Sequence, residues 1–140
     1  MRVLLDTCAV SEARKRGGNP GLVAQIQAIR DEDIFLSVIT LGEIAKGISQ
    51  LPSSKKKTEL NAWLLGLEQE FEDRILSVDT ETARIWGELT ATANGKGHAV
   101  HPCEGLIAAT ARRHGLHVIT RNIRDFEPTG ALLLNPWTDG

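Results

Sequence analysis

What this 140-residue chain lacks narrows its function first. It holds two cysteines, Cys8 and Cys103, too few for the disulfide framework of a small secreted domain, so a reducing, cytoplasmic setting is expected. No stretch approaches the ~20 apolar residues of a membrane span, and Met1-Arg2 runs into a strand-like segment with no secretory apolar region. The formal net charge of -2 excludes the whole molecule as a polycation, so any nucleic-acid contact needs a local basic patch. No glycine-rich GxxxxGK(S/T) loop is present, which argues against nucleoside triphosphate hydrolysis. Internal repeats, low-complexity tracts and linkers are also missing. The expectation is one domain over residues 1–140, long enough to bury about two-thirds of its unfolded surface.

What is there alternates between short apolar runs and amphipathic segments. Arg2–Asp6 is aliphatic and ends in an acid, the pattern of a buried parallel strand. A short helix follows from Thr7 to Arg16, and Asn19-Pro20 starts another, with Asn at the cap and Pro at its first position. Ile34–Ile39 reads as a second strand, after which Thr40-x-x-Glu43 has the form of a capping box. Lys55 to Phe71 reads as a long helix with Trp63, Leu64, Leu67 and Phe71 as its stripe, and Arg74–Val78 as a third strand. Asp79-Thr80 caps the next helix, with Ala83, Trp86, Leu89 and Ala93 near one face, and Asn94–Val100 reads as a loop. Pro102 to His114 forms a helix closed by Gly115, followed by a strand at His117–Thr120 and a polar turn through Asp125 and Phe126. Ala131–Leu134 is a last strand, and the tail NPWTDG is expected to fray. The alternation predicts an α/β fold with a mainly parallel central sheet of four to five strands flanked by helices.

In an open α/β sheet, residues beyond the carboxyl ends of the strands converge on one crevice. Asp6, Glu43 and Asp125 are placed there, and Glu104 joins them if its helix starts at that edge. Each has an ordinary structural alternative: a cap for Asp6, the capping box for Glu43, the helix dipole for Glu104 and a turn for Asp125. Together they repel unless a hard cation neutralises them, and Mg²⁺ suits oxygen ligands. Such a cation also activates water for phosphodiester hydrolysis.

The segments LLDTCAVSE, SVITLGEIAKGI and EGLIAATARRHGLHVITRNIRDFE give the chain its family character. In these motifs it resembles the PIN-domain family, specifically the VapC/FitB-like toxins of bacterial toxin–antitoxin pairs. The resemblance implies a single PIN-like nuclease domain and a Mg²⁺-dependent endoribonuclease (Mn²⁺ serving as well) that hydrolyses RNA by metal-activated water. It further implies a homodimer held inactive by a cognate antitoxin. By position, Asp6 matches the family's first acid and Glu43 its second, while Glu104 stands where an aspartate is usual. An acid is common at the place of Asn122, with Asp125 close by. The resemblance thus makes Asp6, Glu43 and Glu104 metal ligands, with Asp125 or Asn122 in the fourth position. Thr7 and Thr120 stand beside the acids, either bonding metal waters or, as the plainer alternative, satisfying strand-end backbone groups.

Basic residues are then needed for RNA phosphates. Arg121 and Arg124 are the expected contacts, ahead of Arg14-Lys15-Arg16, Lys55–Lys57 and Arg112-Arg113, all of which also suit solvated faces. The helix of Thr7–Arg16 and that of Leu22–Ile29 together offer a groove for an antitoxin helix. His98, His101 and Cys103 hint at zinc but lack the paired spacing of a structural site. Two rival classes stand beside the nuclease. A catalytically weakened PIN-like module that binds RNA or antitoxin follows from Glu104 and Asn122. A phosphoacceptor-aspartate protein is disfavoured, because no second acid accompanies Asp6.

Overall fold

In the computed structural model, which describes residues 1–138, the first apolar run forms β1 (Val3–Leu5), buried along its whole length. Both its faces are covered. Val3 and Leu5 join one apolar cluster and Leu4 the other, as the period-2 alternation of a strand requires. The chain continues through α1 (Thr7–Arg14), α2 (Pro20–Ala28), β2 (Ile34–Ser37), α3 (Val38–Ser49), α4 (Lys55–Glu70) and β3 (Ile75–Leu76). It then runs through α5 (Thr80–Gly95), α6 (Pro102–His114), β4 (His117–Ile119), α7 (Ile123–Phe126) and β5 (Leu132–Leu134).

The five strands form one sheet in the order β3-β2-β1-β4-β5, every neighbouring pair parallel. Leu4 of the central strand is flanked by Phe35 on one side and Val118 on the other. The chain moves outward from β1 to β3, then returns to the opposite side of β1 to lay down β4 and β5. The switch in direction opens a crevice between the carboxyl ends of β1 and β4. Helices α1 to α4 pack their buried residues, among them Val10, Leu22, Ile44 and Leu64, on one sheet face. Leu89 of α5, Ile107 and Ala108 of α6, and Phe126 cover the other.

Local chemistry explains most boundaries. Asn19 caps α2 by accepting from the amides of Gly21 and Leu22, with Pro20 in the first helical position. Asp79 caps α5 through the Thr82 amide, and Gly115 closes α6 in the left-handed region.

Several expectations are corrected. The second strand ends at Ser37 rather than Ile39, because the Ser37 hydroxyl accepts from the Ile39 amide and starts α3 there. The Thr40-x-x-Glu43 capping box therefore does not form; Thr40 is buried inside the helix and Glu43 lies beyond its first turn. Helix α1 stops at Arg14 instead of Arg16, α5 extends to Gly95 into the expected loop, and Ala83 is exposed while Thr82 takes the buried place. The polar turn after β4 is helix α7.

The tail does not fray within the described residues. Thr138 and Asn19 exchange hydrogen bonds across 119 positions, and Trp137 packs against the core; the last two residues of NPWTDG lie outside the described residues. Gly21 makes this docking feasible, since a β-carbon there would stand 2.1 Å from the Pro136 carbonyl oxygen. Gly21→Ala is expected to displace the tail and cost about 1–3 kcal/mol, read by chemical denaturation.

Candidate active site

Asp6 follows β1 directly and caps α1, its Oδ1 accepting from the Ala9 amide at 2.8 Å. It is 3% exposed, yet its carboxylate borders the crevice. The Cys8 thiol donates to both its oxygens, at 3.0 and 3.2 Å, and the nearby Thr120 hydroxyl favours its charged form. Burial holds the Asp6 carboxyl above the ordinary carboxylate range, against the pull of these donors, and the nearby Glu43 charge adds to the rise. The same burial, with the Asp6 charge beside it, pushes the Cys8 thiol up to about 12. Cys8 is thus a hydrogen-bond donor here rather than a nucleophile.

Glu43 comes from α3, on the other flank of β1. The Thr7 hydroxyl donates to its Oε1 at 2.6 Å and lies 3.3 Å from the Thr40 hydroxyl. Thr7 therefore holds a carboxylate, a role neither expectation assigned to it. Thr120 fits the plainer expectation, its hydroxyl accepting from the Asn122 amide at 2.8 Å. Cys103, partly exposed on α6, has its thiol pushed up by burial and by the nearby Glu43 charge.

Helix α6 does begin at the crevice edge, and brings Glu104 to it in the first turn. Burial raises the Glu104 carboxyl, followed by the charge of Asp125 and then those of Asp6 and Glu43. These mutual effects place the acids in one electrostatic neighbourhood. Asp125 itself is exposed on α7, and Asn122, at the start of that helix, lines the wall instead.

The crevice encloses about 530 Å³. Thr7, Cys8 and Ser11 of α1 form one side and His101 and Glu104 the other, with Ile107 and Phe126 in its lining. Arg121 and Arg124 stand outside that wall, both exposed. Basic charge sits elsewhere. A neighbouring groove shares Thr7, Ser11 and Glu43 with the crevice and carries Arg14, Lys15 and Lys56. The Arg14 guanidinium lies 5.5 Å from the Trp63 ring in the same groove.

The zinc hint dissolves. His98 lines a separate cavity beside Lys96 and Arg112, while His101 lines the crevice and caps α6. Sequence reasoning missed that placement of His101, although its position just before Pro102 marks it as an N-cap. Among the described residues no three His, Cys, Asp or Glu side chains enclose a point tightly enough to hold an ion alone. The donors that face the crevice are carboxylate oxygens spread around it, a set suited to a hard cation that keeps several of its waters.

An all-parallel sheet with its acids gathered at this edge is the architecture of a PIN domain, and the PIN domain family model matches residues 3–131; the chain belongs to that family. Within it, the chain stands with the FitB- and VapC-like toxins. It is 36% identical over 141 residues to Toxin FitB of Neisseria gonorrhoeae, covering 98% of this chain and 99% of that one. It is 34% identical over 136 residues to VapC ribonuclease Y4jK of Sinorhizobium fredii, covering 96% and 97% respectively. In a solved structure of FitAB bound to an IR36 DNA fragment, one chain superposes with a TM-score of 0.90 at 32% identity, covering 99% of this chain and 97% of that one.

Proposed function

We propose that this chain is a metal-dependent endoribonuclease acting as the toxin of a toxin–antitoxin pair. The observation that carries the reading is the gathering of Asp6, Glu43 and Glu104 around one crevice of a PIN domain, supported by a relative named as a ribonuclease. These three carboxylates would hold Mg²⁺ or Mn²⁺, directly or through water. When bound, the ion supplies Lewis acidity and lowers the pKa of a water.

The remaining work falls to the chain's own groups. Thr7 fixes the Glu43 carboxylate, while Cys8 and the Ala9 amide fix that of Asp6. Asn122 presents an amide at the wall, where it orients substrate or water, and the Asp125 charge bears on Glu104. The groove of Arg14, Lys15 and Lys56 offers cations to flanking phosphates.

The similar chain in FitAB supports a cognate antitoxin as partner here as well, and the family resemblance supports a homodimer. A cavity of about 260 Å³ lies where α1, α2 and α4 meet, bounded by apolar Val10, Ile26, Trp63 and Leu67 and by charged Arg14, Asp31, Glu70 and Arg74, a place for side chains of an antitoxin segment. No helix of the described residues is long and apolar enough to cross a membrane.

The test is purified chain, freed of antitoxin, incubated with RNA. Cleavage is expected with Mg²⁺ or Mn²⁺ and none in EDTA. Cleavage that persists in EDTA defeats the metal-dependent reading. Binding of RNA with no cleavage in either metal assigns the chain to the catalytically weakened class.

A further inference from the structure

An RNA phosphate entering the crevice meets carboxylates, and no lysine or arginine stands among the residues that line its wall. The side chains left to receive phosphate oxygens are N–H and O–H donors, chiefly Ser11, Asn122 and His101. Serine hydroxyls rotate freely, and the Asn122 amide has only a 4.0 Å contact with the Cys8 sulfur. His101 is different. Its Nδ1 accepts the Cys103 amide hydrogen at 3.1 Å, which makes the imidazole the N-cap of α6 and commits one side of the ring to the backbone. Every protonation state that keeps this cap leaves Nε2 with its hydrogen. The ring is exposed and borders the crevice one turn before Glu104.

We infer that His101 is a substrate-contacting residue, its Nε2–H donating to a phosphodiester oxygen of RNA held in the crevice. The inference rests on the nuclease reading. It adds a residue of this chain that the acids alone do not supply.

His101→Gly separates the two functions of the ring, because glycine is among the favoured N-cap residues and carries no side-chain donor. Affinity for a short single-stranded RNA oligonucleotide is read by fluorescence anisotropy in Ca²⁺, and cleavage kinetics in Mn²⁺. RNA affinity is expected to fall about tenfold, with KM rising alongside and with Mn²⁺ affinity and thermal midpoint unchanged. Unaltered RNA affinity overturns the inference, as does a loss of Mn²⁺ affinity, which would make the ring a metal ligand. Should H101G unfold more easily than wild type, RNA affinity measured well below its thermal midpoint gives the same reading. Wild type that binds RNA without cleaving it defeats the nuclease reading alone, leaving the contact legible in the affinities. Wild type that neither binds nor cleaves defeats both.

Discussion

Asp6→Asn is expected to reduce RNA cleavage by at least about 10²-fold, since even a small displacement of a group at a reacting centre costs that much. The fold is expected to survive, because asparagine replaces aspartate as a cap and can still accept from the Ala9 amide. Asp6→Ala adds about 1 kcal/mol of cap loss to the same defect. The pair of variants therefore separates the capping role of Asp6 from its role at the crevice. Stability against pH gives an independent check. Burial raises the folded-state carboxyls of Asp6 and Glu104 above their ordinary values, so in the metal-free protein the folded chain retains protons that the unfolded chain has released. Stability contributed by these groups is present below the ordinary carboxylate range and is lost as pH rises through the raised values. Asp6→Asn removes the larger burial of the two and should flatten that decline, read as thermal midpoints across acidic to neutral pH in EDTA. A decline of unchanged slope would show that Asp6 is not its source.

Phe126→Ala is expected to carry the largest stability cost, about 3–5 kcal/mol, equivalent to a fall in thermal midpoint of about 10–15 °C. The side chain is 1% exposed, sits in the cluster beneath α5 and α6, and also borders the crevice. Its amide and that of Asp125 both donate to the Asn122 carbonyl, so the ring anchors the short helix that carries the Asp125 charge. Cleavage is therefore expected to fall even well below the new midpoint. A variant that loses stability but keeps full cleavage at low temperature would show that this anchoring is dispensable.

Much of the frame is legible in the sequence, because it rests on local signals. Continuous aliphatics mark β1, Asn19-Pro20 and Asp79 open their helices, and Gly115 closes α6. Errors arose where tertiary contacts overrode a local motif. Val38 and Ile39 extend an apolar run and look like strand, yet Ser37, wholly buried at the sheet edge, turns the chain there and leaves the Thr40 motif unused as a cap. Docking of the tail depends on Asn19 and Gly21, more than a hundred positions away, which no window of sequence contains. For the candidate site, the order of strands and helices put Asp6, Glu43 and Asp125 at the edge, of which Asp125 lies outside the wall, and left Glu104 hanging on where α6 begins. The direction of each side chain did not follow from that order. Arg121 and Arg124 are close to the crevice in sequence but outside its wall, and His101 hid behind an unrelated resemblance to a zinc ligand.

Residues 6 to 8 form three adjacent links, one acid and the two donors that fix Asp6 and Glu43. The bond from Thr7 to Glu43 spans 36 positions and ties the first turn of α1 to the middle of α3. Mechanically, the two helices share a rivet. A shift of either helix bears on that bond, so the placements of Asp6 and Glu43 are coupled through Thr7. Glu104, the third corner, rides on α6 and has no such tie through Thr7.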